Sequence, residues 1–299
     1  MMSDSPKLPP INFKSLARSL TIVENDLDGA KEILTSLTFA KHVPTIGITG
    51  PPGAGKSTLV NSLITEMIKT NKAIAVLAID PTSPFNYGSL LGDRIRMNTQ
   101  FNNPNVYIRS LATRGALGGL SAKTIEMADV IKSAGFDYLF IETVGVGQSE
   151  VEIATLADIT ILVLVPESGD EIQNMKSGIM EIASIFVVNK ADRAGADDFV
   201  NHLSKMINQH SRKTPIIKTS SVLDIGIDSL VSLLSDIPIN IPGKENLLAN
   251  RACQLIQQRL MSNIDKIKLQ ADINEAYNKE FFNLYHFIEK WLSTNIKNS

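Results

Sequence analysis

The sequence predicts an α/β protein built on a doubly wound, mostly parallel sheet. Seven short Val/Ile-rich segments recur through the middle of the chain. They are apolar along their whole length rather than at alternate residues, as strands covered on both faces are. Helical patterns separate them, as the crossover between two parallel strands requires.

Taken in order, residues 13–42 ("FKSLARSLTIVENDLDGAKEILTSLTFAKH") place Leu16, Leu20, Ile33, Leu34 and Leu37 at helical spacing with a break at Asp28-Gly29. Two short helices are therefore expected ahead of the sheet. The strand candidates follow: "TIGIT" (45–49), "AIAVLAID" (73–80), "VYIR" (106–109), "YLFIE" (138–142), "ITILVLV" (159–165), "SIFVVNK" (184–190) and "PIIKTS" (215–220). Two prolines and a glycine in "IPINIPG" (237–243) interrupt the alternation. Beyond them, "LLANRACQLIQQRLMSNID" and "NKEFFNLYHFIEKWLSTN" read as two long amphipathic helices. The expected organisation is an N-terminal helical extension (1–42), a central α/β domain (43–238) and a C-terminal helical arm (239–299).

Composition excludes several classes of function. A net charge of -2 supplies no field to draw the chain onto nucleic acid or an anionic membrane, so neither is expected as a partner. Cys253 is the single cysteine, which rules out an internal disulfide and suits a reducing compartment. The opening "MMSDSPKLPP" lacks the basic and apolar regions of a signal peptide. "ITILVLV" is far shorter than the ~20 residues that span a bilayer. A cytoplasmic protein is expected.

Chemistry enters with "GPPGAGKST", Gly50 to Thr58, which fits G-x-x-x-x-G-K-[ST] between a strand and a helical pattern carried by Leu59, Leu63 and Met67. This is the context of a phosphate-binding P-loop. Gly50, Gly53 and Gly55 let backbone N–H groups close around the β-phosphate, and the helix N-terminus adds its dipole. Lys56 is expected to reach the β- and γ-phosphates and Ser57 to give its hydroxyl to Mg²⁺; Ala54 and Thr58 complete the expected set.

"NKAD", Asn189 to Asp192, ends a later strand and indicates the base. A carboxylate at Asp192 can accept from the N1–H and N2–H₂ edge of guanine, a bidentate contact that adenine does not offer. Asn189 is expected to brace the P-loop, Lys190 to lie along the base, and "TSS" (219–221), with Ser220 and Ser221, to touch guanine. GTP and GDP are the expected ligands.

"YLFIETVGVGQSE" raises a separate question, because Glu142 closes an apolar strand, where a carboxylate is costly without a cationic partner. Beside a P-loop, Mg²⁺ and its waters supply that partner, the role more often filled by Asp. Gly145 follows at D-x-x-G spacing, where a backbone N–H can sense the γ-phosphate. Val146 stands where many GTPases carry a water-orienting glutamine, and Gln148 lies two residues too late, so slow unaided hydrolysis is expected. The catalytic set is Lys56, Glu142 and Gly145. In "DPTSPFNYGSLLGDRIRM" (80–97), Asp80 and Asp93 can both reach the metal or its waters, which of them directly being open; Asp93 also reads as a helix N-terminal charge. The loop "RSLATRGALGGLS" (109–121) reads equally as a phosphate-responsive segment or as solvated arginines.

Together "TGPPGAGKSTL", "DPTSP…GSLLGDRIRM", "RSLATRGALGGLS", "FIETVGVGQSE", "GDEIQNMKSGIMEIA" and "VVNKAD" resemble the methylmalonyl-CoA mutase-associated GTPase family (MeaB/ArgK-like), in the SIMIBI class of P-loop GTPases. The resemblance covers roughly residues 11–234. It implies a GTPase that gates adenosylcobalamin delivery to, and protects, an acyl-CoA mutase such as methylmalonyl-CoA mutase. By the same resemblance Ser57, Asp80, Asp93 and Glu142 form the metal shell, and "GDEIQNMKSGIME" is a partner-sensing switch led by Asp170 and Lys176. The resemblance further implies a homodimer made by the C-terminal helices, with a simple cover for the domain as the alternative reading. Two rival functions remain at this level. A metal-delivering GTPase needs clustered Cys and His, whereas Cys253, His42, His202, His210 and His286 are scattered. A transport-linked kinase needs a phospho-acceptor, which no motif identifies.

Overall fold

The computed structural model describes residues 11–80, 100, 102–112, 122–143, 149–168, 177–208, 214–237, 244–262, 264–278 and 282–295. The chain divides into two compact units, Met1–Leu247 and Leu248–Ser299.

The first unit begins with helix α1 (Phe13–Glu24). Asn12 caps it by accepting from the Ser15 N–H at 3.0 Å, and Leu16, Leu20 and Val23 form its buried stripe. Phe13 stacks into an aromatic group with Tyr107 and Phe136, at centroid distances of 5.4 and 6.2 Å. Helix α2 (Ala30–Thr35) follows the break at Gly29, which takes φ 95°. It is only half-buried, and Leu37 falls beyond its end.

Strands β1 (Thr45–Thr49), β2 (Ile74–Asp80), β3 (Val106–Ala112), β4 (Tyr138–Glu142), β5 (Ile159–Leu164), β6 (Ile185–Val188) and β7 (Ile216–Lys218) form one sheet in the order β3-β2-β4-β1-β5-β6-β7. Every described pairing is parallel. The intervening helices are α3 (Lys56–Ile68), α4 (Ala122–Ser133), α5 (Ser149–Leu156), α6 (Ser177–Ile182), α7 (Ala196–Asn208) and α8 (Ile227–Asp236).

Alternation within one strand shows why the segments are apolar throughout. Ile161 and Val163 of β5, with Ile185 and Val187 of β6, pack into a core shared with Leu59, Leu63 and Leu230 of α3 and α8. Their neighbours Leu162, Leu164, Phe186 and Val188 pack into a second core with Phe199 and Leu203 of α7. Two covered faces remove the polar positions that a half-exposed strand would carry. At Gly47, in the middle of β1, a Cβ would stand 2.5 Å from Ile153 Cγ1, so α5 packs closer to the central strand than any side chain there would allow.

Strand boundaries differ most at β3, expected to stop at Arg109 but paired with β2 as far as Ala112. The charge that ended the apolar pattern is neutralised within the fold, since Arg109 Nη2 donates to Glu24 of α1 at 2.5 Å.

In the second unit the chain forms three helices where two were expected: most of α9 (Lys244–Ser262), then α10 (Lys266–Tyr277) and α11 (Leu284–Asn295). Helix α10 has no buried residue, hence no apolar stripe to reveal it; its N-terminus is set by Asp265, which accepts from the N–H groups of Ile267 and Lys268. Trp291 of α11 is buried and donates from Nε1 to Asp272 of α10 at 2.8 Å. Ile256, Leu260, Met261, Ile267 and Tyr285 of this unit are exposed. Among the described residues no helix is long and apolar enough to cross a membrane.

Candidate nucleotide-binding site

Three strands end together at the carboxyl edge of the sheet. β1 lies between β4 and β5, where the winding of the sheet reverses, and this switch point is where open α/β sheets form ligand crevices. β1 delivers the loop 50–55, β4 delivers Glu142, and β6 delivers Asn189.

The loop leaves β1 at Gly50, whose φ of 142° and whose closeness to β5 both demand glycine: a Cβ there would lie 2.1 Å from the Val163 carbonyl oxygen. Gly55, in the left-handed region, precedes the first turn of α3. Lys56 is buried and its Nζ donates to the carbonyls of Gly50 at 2.8 Å and Pro51 at 3.0 Å. The ammonium therefore folds back over the loop, the position from which a P-loop lysine meets phosphate oxygens. Thr58, in the first turn of the same helix, is exposed.

Ser57 and Glu142 are both buried, and the Ser57 hydroxyl donates to Glu142 Oε1 at 2.6 Å. Glu142 is held in register by ladder partners on both sides, Ile48 of β1 and Ala78 of β2. Next to it the Thr143 hydroxyl pairs with that of Thr49 at 3.1 Å. A hydroxyl and a carboxylate meeting at the P-loop are oxygen donors of the kind Mg²⁺ takes, so this pair fits the ion.

Asn189 is 2% exposed and joins the two halves of the site. Its Nδ2 donates to the Ala54 carbonyl of the P-loop at 3.0 Å. Its Oδ1 accepts from the hydroxyl of Thr219 at 3.1 Å and from the hydroxyl and N–H of Ser221 at 2.9 and 3.3 Å. Lys190, in the left-handed region at φ 55°, donates from Nζ to the Gly53 carbonyl at 2.7 Å. Asp192 accepts from the Ser220 hydroxyl at 2.5 Å, and this bond, followed by that of its own backbone N–H and the charges of Arg193 and Lys190, holds its carboxyl below the usual aspartate range. The carboxylate is thus kept ionised and oriented, ready to accept.

The structure accordingly brings Lys56, Ser57 and Glu142 together at one end and Asp192, Ser220 and Ser221 at the other, with Asn189 and Lys190 between them. Asp80 ends β2 at the same edge; its side chain lies outside the described residues, as do Asp93 and Gly145 entirely. Arg94, Arg114, Val146, Gln148, Asp170 and Lys176 lie outside them too. Among the described residues no group of three His, Cys, Asp or Glu could hold a metal ion. Thr219, Thr49 and Thr143 all lie inside stretches the sequence singles out, but no separate role is assigned to them there, and the structure shows their hydroxyls bracing the site.

A P-loop at the switch point of a parallel sheet, locked to an Asn-Lys-x-Asp turn, is the architecture of a P-loop GTPase. The family described as "Methylmalonyl Co-A mutase-associated GTPase MeaB" matches residues 16–267, and the chain belongs to it. As a member it binds and hydrolyses GTP. A relative from Pyrococcus horikoshii is 41% identical over 274 residues, covering 88% of this chain and 86% of its own. "GTPase ArgK" of Escherichia coli is 31% identical, over 91% of this chain and 85% of its own. A "Fused isobutyryl-CoA mutase" of Geobacillus kaustophilus is 38% identical over 210 residues, 67% of this chain but only 19% of that much longer protein. Among solved structures, one titled "Crystal structure of LAO/AO transport system kinase" superposes with a TM-score of 0.64 at 23% identity, over 97% of this chain and 90% of the other, which shows the shared fold.

Proposed function

We propose that this GTPase gates adenosylcobalamin delivery to, and protects, an adenosylcobalamin-dependent acyl-CoA mutase, methylmalonyl-CoA mutase or a close relative. One observation carries the reading: a segment similar to two thirds of this chain lies within a protein named as a fused isobutyryl-CoA mutase. The family's own description points the same way.

In this reading Asp192, oriented by Ser220, accepts from the guanine edge, while the P-loop from Gly50 to Ser57 cradles the phosphates. Lys56 leaves the carbonyls of Gly50 and Pro51 to neutralise charge on the β- and γ-phosphates. Ser57 and Glu142 would hold Mg²⁺, Glu142 through a water, with Asp80 and Asp93 as the remaining acidic members. The ion would supply neutralisation of charge developing on the phosphate oxygens. Gly145 would report on the γ-phosphate.

The exposed apolar side chains of the second unit, Ile256, Leu260, Met261 and Tyr285 among them, support a homodimer through that unit. The single Cys253, exposed and free, fits the reducing environment of the cytoplasm.

The test is a pull-down from native lysate with the full chain loaded with a non-hydrolysable GTP analogue. Recovery of an acyl-CoA mutase, lost when the analogue is replaced by buffer, is the expected result; absence of any mutase from a lysate that contains one contradicts the proposal.

A further inference from the structure

Serines inside helices usually point to solvent or bond the carbonyl four residues back. Ser62, midway along α3, does neither. It is buried, and its hydroxyl donates to the Ser221 carbonyl at 3.0 Å, bridging 159 positions of sequence.

The acceptor is telling. The Ser221 N–H and hydroxyl both go to Asn189 Oδ1, so the residue is gripped from the P-loop side through Asn189 and from the α3 side through Ser62. Asn189 itself donates to Ala54, which closes a ring of buried bonds from the P-loop to the base-side loop and back to the P-loop's own helix. Immediately before Ser221, Ser220 presents its hydroxyl to Asp192 while its N–H and carbonyl both pair with Ile225. The turn beyond projects outward, with Val222 83% exposed, and offers no packing of its own to fix the stem. Ser220 is thus held on one side by Thr219, whose N–H donates to the Val188 carbonyl and whose hydroxyl donates to Asn189, across the turn by Ile225, and on the other side by the grip on Ser221, where Ser62 adds the one bond that comes from α3.

We infer that Ser62 is a positioning residue for base recognition, its hydroxyl holding Ser221 so that Ser220 stays aligned on Asp192. The inference rests on the reading of Asp192 as the guanine acceptor. Ser62 touches no nucleotide; it acts through the backbone of the base-side loop, and it ties the loop to the helix that begins at the P-loop.

The experiment is calorimetric binding of GDP, IDP and ADP to the full chain and to Ser62→Ala and Ser62→Thr, with thermal unfolding of each. IDP lacks the 2-amino group that a well-placed Asp192 accepts from. Loss of one neutral hydrogen bond should weaken GDP binding by about 3- to 10-fold. IDP binding should fall less, so that the preference for GDP narrows, and Ser62→Thr, which keeps the hydroxyl, should restore it. Equal losses for GDP and IDP, or an unchanged preference in Ser62→Ala, would overturn the inference by leaving Ser62 a purely structural residue. Should the alanine variant fail to fold, Ser62→Cys, nearly isosteric and a weak donor, poses the same question with the same two answers. If the unaltered chain binds ADP as tightly as GDP, the guanine reading itself falls and takes the inference with it.

Discussion

Asp192 carries the base preference in this account on a single carboxylate, exposed at the mouth of the site and pinned by Ser220. Replacing it with asparagine exchanges an acceptor pair for an acceptor and a donor. Asp192→Asn should lose the two charge-assisted bonds to guanine and with them most of the preference for GTP over ATP, and should gain affinity for xanthine nucleotides, whose edge presents an acceptor in place of the 2-amino group. Calorimetry with GTP, XTP and ATP reads both effects. Glu142 poses a different question at the same scale, because Ser57 already satisfies one of its oxygens at 2.6 Å. Glu142→Gln keeps the shape and removes the charge. Nucleotide should still bind, while phosphate release should demand more magnesium than the unaltered protein needs. An unchanged rate across a magnesium titration would show that Glu142 does not support the ion.

Elements hold these residues by ladders and latches rather than by the site itself. Asp137, in the turn before β4, accepts from Lys41 at 2.7 Å and from the Ala73 N–H at 2.8 Å, tying the segment ahead of β1 to the strand that carries Glu142. Partial burial works to raise its pKa, but the Lys41 bond, the Ala73 N–H and the charges of Lys41 and Lys72 outweigh burial and leave it lowered. A depressed carboxyl contributes stability that is complete above its unfolded value, near 4, and disappears as pH falls through the folded one. Lys41→Met should therefore lower the unfolding midpoint at pH 7, and the gap from the unaltered protein should close in acid; a gap that is constant with pH would assign the loss to packing alone. At this scale the sequence is most readable. β1 and β4 begin and end where their apolar runs do, because both are covered on both faces and flanked by the motif glycines or a charge. β3 outran its apolar run because Glu24, 85 residues away, neutralises Arg109, and α10 went unseen because it buries nothing. The site divides the same way. Lys56, Ser57, Asn189 and Asp192 carry motifs whose spacing is set by the nucleotide, whereas Thr143 and Ser62 owe their places to partners distant in sequence.

Across the whole molecule, a buried network around Asn189 joins the P-loop end to the base end, and the second unit carries exposed apolar side chains. That arrangement suits a nucleotide switch that answers to another protein. With Val146 in place of a water-orienting glutamine, and with Lys56 the cation that the described residues place at the phosphate end beside the proposed Mg²⁺, turnover alone should be slow. On the proposed function, a mutase partner that brings Arg114 and Lys176 to bear on the γ-phosphate would complete the site; such completion is worth ~10³ to 10⁵ in the best-studied GTPases, and a smaller gain is expected where no external arginine is supplied. The direct measurement is steady-state phosphate release from GTP by the full chain, with and without an adenosylcobalamin-dependent acyl-CoA mutase. The account predicts slow release alone and a clear acceleration by the mutase, diminished by Arg114→Ala and Lys176→Ala. Release at one rate whether or not any such mutase is present would contradict it.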